Sequence, residues 1–135
     1  MAETFQLEIV TPEKMVVRDF AEECQIPGKN GYLGILPGHA PLITELGVGE
    51  ITYRKEGDTR HLAVAWGFAE VLPDKVTILA ETAERAEEID VNRAREARQR
   101  AQELLTSASA EVDYSRAGAA LERADTRLQV AEKKG

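Results

Sequence analysis

Gly31-Tyr32-Leu33-Gly34-Ile35-Leu36-Pro37-Gly38-His39-Ala40-Pro41-Leu42 is the stretch of this 135-residue chain on which its architecture turns. Three glycines, two prolines and a histidine stand among six apolar side chains. Proline removes a backbone donor and glycine accepts positive φ at no steric cost, so the stretch is neither a regular helix nor a central strand. Leu33, Ile35, Leu36 and Leu42 are at the same time too apolar for an ordinary solvated loop. A rigid, turn-rich apolar loop at one end of a β-sandwich, turned toward a protein partner, satisfies both constraints.

Outward from that loop the chain has two halves of different chemistry. All five prolines and eight of the ten glycines precede residue 74, and only Gly118 and Gly135 lie beyond it. The first part therefore alternates short strands with turns, and the second can run as uninterrupted helix. Residues 1–83 carry 7 basic and 13 acidic groups, net -6; residues 84–135 carry 10 and 11, net -1, and eight of those ten basic groups are arginines.

Period-2 alternation places the strands. Phe5, Leu7 and Ile9 share one face of the first, ended by Thr11-Pro12; Met15 and Val17 pattern a second; Cys24 and Ile26 a third, stopped by Pro27-Gly28. Ile51 and Tyr53 share a face, a turn follows at Glu56-Gly57-Asp58, and Leu62, Val64 and Trp66 alternate on the return, with Trp66 expected in the core. Residues 68–72 and 76–80 form a second hairpin turned at Pro73-Asp74. Many short strands closely spaced by turns predict an antiparallel sandwich or barrel.

From about Thr82 the periodicity becomes helical. Ala94, Ala97, Ala101, Leu104 or Leu105, and Ala108 recur at three- and four-residue steps, and after the N-cap Asp113 so do Tyr114, Ala117, Leu121, Ala124, Leu128 and Ala131. Two helices with narrow seams and a short polar link predict an antiparallel hairpin. Alanine seams pack closely and bury little, at about 0.8 kcal/mol per methylene, so the hairpin is expected to open easily.

Composition excludes several functions. A net charge of -7 opposes nucleic acid as the main partner. No apolar run approaches the roughly 20 residues of a membrane span, and Met1-Ala2-Glu3-Thr4 lacks the regions of a secretory signal. Cys24 is alone, which rules out an intramolecular disulfide and suits a buried thiol in a cytoplasmic protein. His39 and His61 are the only histidines, without a metal-binding spacing, and the glycines of the loop fit neither a dinucleotide fingerprint nor a phosphate loop. No catalytic or metal-binding constellation is present. His39 is either a turn residue bonded to nearby backbone or a contact on the partner-facing end. Arg116, Arg123 and Arg127 lie within roughly 40° of one another on a helix, and Arg93 and Arg100 form a stripe on the preceding one. These are either a solvated face tempered by Glu96, Glu103 and Glu122 or a surface for something anionic. Asp90, where the first helix starts, can cap it or accept from a ligand.

Both halves, in order and over essentially the full length, resemble the ε-subunit family of bacterial rotary, proton-translocating ATP synthases. The resemblance is carried by residues 31–42, by Ile89-Asp90-Val91-Asn92-Arg93-Ala94, which fits the family's Ile/Leu-Asp-x-x-Arg-Ala motif, and by Asp113-Tyr114 before the last helix. It implies a β + α fold: an N-terminal antiparallel β-sandwich of about ten strands over residues 1–84, and a helical hairpin over residues 85–135. It implies a non-catalytic rotor subunit on the cytoplasmic face of the bacterial inner membrane, peripheral to it. Such a subunit binds the γ subunit and the membrane ring of c subunits, and couples ring rotation to ATP synthesis. Tyr32, Leu36, His39 and Leu42 are the implied contacts at the γ and c-ring end. The hairpin is implied to inhibit ATP hydrolysis when extended, with Arg93, Arg100, Arg116 and Arg123 meeting acidic segments of the catalytic α and β subunits. No cofactor is required; a regulatory ATP, as some bacterial relatives bind in the folded hairpin, would match Glu84, Asp90, Arg93, Arg123 and Arg127. The contrasting reading, a free-standing ATP-sensing module, accounts for the arginines and leaves the apolar loop unexplained.

Overall fold

Phe5, Leu7 and Ile9 turn inward from the first strand while Gln6, Glu8 and Val10 turn out, in a computed structural model that describes residues 3–133. Seven strands follow in this manner: β1 Phe5–Val10, β2 Met15–Ala21, β3 Glu23–Gly28, β4 Gly31–Ile35, β5 Leu42–Lys55, β6 Asp58–Val71 and β7 Lys75–Arg85. They form one sheet in the order β2-β1-β7-β6-β5-β3-β4. The sheet curls back on itself, so that β2 at one edge reaches the distant β5 as well as β7 beyond β1. Tyr53 Oη comes within 3.4 Å of Asp19 Oδ2, and Arg85 Nη2 donates to the Val16 carbonyl at 2.9 Å. Lys55 Nζ lies 2.6 Å from Asp19 as well. Burial alone would raise the Asp19 carboxyl, but the Lys55 hydrogen bond, the Phe20 N–H and the charges of Lys55 and Arg60 outweigh it and hold the pKa below its usual value. Inside the curl Phe5, Leu7, Ile9, Ile26, Ile51, Tyr53, Leu62 and Ile78 are fully enclosed.

The sandwich expected from the sequence differs in two details. Pairing is antiparallel throughout except between β1 and β7, which run parallel from Gln6 with Lys75 to Val10 with Leu79. Alternation says which side of a strand faces the core; it is silent on the neighbour and its direction. Among the described residues the count is seven, not about ten, because β5, β6 and β7 each serve both layers. Each changes phase at one common level. On β6 the inward residues are Leu62 and Val64, then Ala69 and Val71, and the switch falls at Trp66 and Gly67, with φ of 50° and 132°. The ladders skip Trp66 on both sides, passing from Val48 with Ala65 to Leu46 with Gly67, and from Ala65 with Thr82 to Gly67 with Ala80. On β5 the switch is at Gly47, between inward Leu46 and inward Ile51; on β7 it follows Ala80. Three long strands thus read as six short ones.

Several residues move accordingly. Trp66 is half-buried on the outer face and not in the core, and Phe68 is exposed. Met15 is exposed beside buried Val16 and Val17. Gly31–Ile35, expected as loop, is an edge strand paired only with β3, where glycine is tolerated; the loop proper is residues 36–41. Helical periodicity starts at Thr82 in the sequence, yet β7 continues to Arg85 because Thr82 and Glu84 pair with Ala65 and Ala63. Cys24 is buried, its thiol pushed up to about 12 by burial and then by the Glu23 charge, so it is an inert core group.

A 3-10 turn at Ala86–Glu88 leads into α1 Val91–Thr106 and α2 Tyr114–Ala131. Asp90 and Asp113 cap them, their Oδ1 atoms accepting from the N–H groups of Arg93 and Arg116 at 3.1 Å. Ala94 and Ala101 of α1 are buried, as are Ala117 and Ala124 of α2; Ala108 lies past the end of α1 and is exposed. Tyr114 Oη donates to the Ser107 carbonyl and ties the two helix ends together. The hairpin is folded against the sheet: α2 packs on β5 and β6, and α1 packs on α2. Val130 and Ala131 meet Ala63, Ala86 and Ile89 in a small second core.

Candidate functional site

The loop before β5 is built to be stiff. The Gly38 N–H donates to the Pro73 carbonyl at 2.7 Å, which pins the loop to the β6–β7 turn, and the His39 N–H donates to the Leu36 carbonyl at 3.2 Å. The His39 ring is spent locally, with Nδ1 2.7 Å from the Ala40 carbonyl oxygen. Leu36 is left exposed, and Leu42 is partly so. Leu42 pairs with the buried Val71 and shares its inner side, while its neighbour Ile43 points to the outer face.

There lies a stripe the sequence did not announce. Phe68 and Leu79 are direct cross-strand partners; Leu79 pairs in turn with Val10, and Val10 with Met15. Ile43 stands one inward residue away from Glu45, the β5 partner of Phe68. The band crosses five strands, and Ile43, Phe68 and Leu79 are 71 %, 53 % and 55 % exposed, too much apolar surface in one place for a solvated face. The phase switch hid it: plain alternation carried through Trp66 assigns Phe68 to the wrong side. Tyr32 is exposed, and its hydroxyl is engaged within the chain. Its hydroxyl accepts from the Glu50 N–H at 3.0 Å, and its oxygen lies where a Cβ at Gly49 would come within 2.6 Å. It packs β4 onto β5.

Beyond the phase switch, where the helical hairpin covers the sheet, a cavity of about 440 Å³ opens between the sheet and both helices. Val48, Ala63 and Ala65 floor it, and Glu84, Arg100, Arg123 and Arg127 are its charged lining. Of the five residues matched to a nucleotide, Glu84, Arg123 and Arg127 line this cavity. Asp90 and Arg93 do not: the Asp90 side chain is the α1 cap, and Arg93 is exposed. Arg100 joins the cavity from the inhibitory set, while Arg116 is exposed at the start of α2. Arg127 is already engaged, its Nε 2.6 Å from Glu84 Oε1 and its Nη2 3.2 Å from Oε2. The Arg123 guanidinium sits 5.0 Å from the Trp66 ring centroid. The repulsion of an i,i+4 arginine pair is thereby relieved by a carboxylate and an aromatic face. Sequence reasoning missed both Trp66 in this role and Glu50, whose two carboxylate oxygens each lie 2.9 Å from Lys133 Nζ. His61 Nδ1 is buried 3.5 Å from the same carboxylate without a hydrogen bond.

Among the described residues no group of three or more His, Cys, Asp or Glu could hold a metal ion, and no helix is long and apolar enough to cross a membrane. The domain model described as the beta-sandwich domain of the ATP synthase delta/epsilon chain matches residues 4–86, and that of the long alpha-helix domain matches residues 87–132. Relatives called ATP synthase epsilon chain include one from Koribacter versatilis, 70 % identical over 82 % of this chain and 78 % of its own length. Another, from Solibacter usitatus, is 49 % identical over 99 % of this chain and all of its own. Among solved structures, a chain of the Euglena gracilis mitochondrial ATP synthase superposes with a TM-score of 0.81 at 23 % identity, covering 96 % of this chain and 81 % of that one. That likeness bears on the fold.

Proposed function

Because the chain belongs to the ATP synthase delta/epsilon family, as a non-catalytic subunit like its bacterial epsilon chains, we propose that its β-domain couples the γ subunit to the c-ring and that its hairpin regulates ATP hydrolysis. The observation that carries this is the exposed apolar band of Ile43, Phe68 and Leu79 on the outer face, together with exposed Leu36 on the pinned loop. On a chain with a net charge of -7, such a surface calls for a protein cover. The narrow pinned loop suits repeated contact with the ring, and the broad sheet face suits the γ subunit. The subunit then works at the cytoplasmic face of the bacterial inner membrane, held there by its partners.

In the same reading the folded hairpin permits turnover. Released, it carries Arg93, Arg100, Arg116 and Arg123 to acidic segments of the catalytic subunits. A regulatory ATP is an effector of the folded form: its phosphates would take Arg100 and Arg123 at the cavity, and Arg127 only by displacing Glu84. Co-expression with a tagged γ subunit tests the assembly. The chain should co-purify with γ in fixed stoichiometry; a chain that runs alone while binding ATP would favour the free-standing sensor.

A further inference from the structure

The cavity between the hairpin and the sheet is walled chiefly by methyl groups. Ala97 and Ala101 of α1, Ala120 and Ala124 of α2, and Ala63 and Ala65 of β6 all line it, and side chains this short leave about 440 Å³ unfilled. Such walls give water few hydrogen-bond partners, so the space favours an apolar occupant. Leu104 on the same wall is 48 % exposed, so the cavity is reached from outside. Its charge is one-sided. Glu84 is the only carboxylate among the lining residues, and Arg127 already holds both its oxygens. Arg100 and Arg123 line the cavity too, Arg100 exposed and Arg123 half-buried against the Trp66 ring, and among the described residues neither has a carboxylate within ion-pair distance. We propose that this cavity binds a free fatty-acid anion, its alkyl chain against the alanine walls and its carboxylate at Arg100 and Arg123.

Size and chemistry both select this class. At the roughly 30 Å³ that a small group occupies in a liquid, the cavity has room for about fifteen heavy atoms, enough for decanoate. A pocket of apolar walls with a few placed polar groups takes an apolar body and orients its polar head. The planar fork of a guanidinium matches a carboxylate bidentately, and the Arg123 guanidinium makes no such pair within the chain. A regulatory ATP would call on the same arginines, but a fatty acid asks nothing of the walls except apolar contact, where a base and a ribose need hydrogen-bond partners.

Titration calorimetry of the full-length chain with decanoate, nonanoate and octanoate, below micelle-forming concentrations and without nucleotide, tests the site. Affinity should fall about three- to fourfold for each methylene removed. Octanol, which keeps the chain and lacks the charge, should bind about tenfold or more weaker than octanoate, and Arg123→Gln should weaken decanoate by a similar factor. Ala97→Leu places a larger side chain in the cavity at nearly the helix propensity of alanine, and should weaken decanoate about tenfold or more with the thermal midpoint held or raised. Ala120→Leu fills the same space from α2 and covers the case in which the first variant misfolds. No binding of decanoate at millimolar concentration, an affinity indifferent to chain length, or binding undiminished by either folded filling variant overturns the site; octanol bound as tightly as octanoate overturns the role of the arginines. Neither nucleotide nor γ takes part, so failure here is separate from a failure to bind ATP or to co-purify with γ.

Discussion

Gly67→Ala should all but abolish the folded β-domain at growth temperature. Gly67 has a φ of 132°, a conformation that costs an L residue of order 1–3 kcal/mol. A Cβ there would overlap the Leu79 carbonyl oxygen and lie 2.9 Å from the Ala80 Cα. Those are backbone atoms of the paired strand, and they move only if the β6–β7 ladder parts. Overpacking of this kind adds about 1–3 kcal/mol or more. The sum is a large share of the roughly 5–15 kcal/mol that holds a domain together. Thermal unfolding followed by circular dichroism should show a midpoint lowered by about 10 °C or more, or no cooperative transition. Gly34→Ala, where an added Cβ meets nothing within 4 Å, should stay within about 1 kcal/mol of the wild type.

The second large effect falls on assembly and spares stability. Phe68→Ser with Leu79→Ser removes the centre of the outer stripe. Burying a Phe or Leu side chain against a partner contributes about 1.5–3 kcal/mol each, so their joint loss should weaken binding to γ by two to four orders of magnitude, at about 1.4 kcal/mol per tenfold. Serine is preferable to aspartate because the two residues are direct cross-strand partners, and like charges there would destabilise the sheet itself. Both side chains are more than half exposed in the free chain, so its unfolding midpoint should barely move. Titration calorimetry against purified γ measures the first effect and thermal unfolding the second. Undiminished affinity would mean that the stripe is covered by something else.

Much of this was written in the chain in readable form. Phe5, Leu7 and Ile9, the Glu56-Gly57 turn, and the caps Asp90 and Asp113 follow from period, turn chemistry and side-chain reach, and the structure has each of them as expected. What escaped depends on contacts between residues far apart in sequence. The parallel pairing of β1 with β7 joins the first strand to the last, and no local pattern encodes it. The phase switch at Trp66 leaves only one trace, a bulky aromatic followed by glycine, and misreading it put Trp66 inside and concealed the Ile43-Phe68-Leu79 stripe. In the cavity, Glu84, Arg123 and Arg127 were named from the family resemblance, but the pairing of Arg127 with Glu84 across 43 positions was not legible. Asp90 illustrates a limit of motif reading: the same carboxylate suits a cap or a ligand, and the sequence does not say that its Oδ1 accepts from the Arg93 N–H.

Proton-driven ATP synthesis in inverted membrane vesicles stripped of this subunit and then given it back tests the central claim most directly. Wild-type protein should restore synthesis, while the Phe68→Ser, Leu79→Ser variant and a Leu36→Asp variant, both folded, should leave it near the stripped level. Equal synthesis with the wild type and with those variants, or full synthesis without the subunit, would contradict a coupling role for the apolar end.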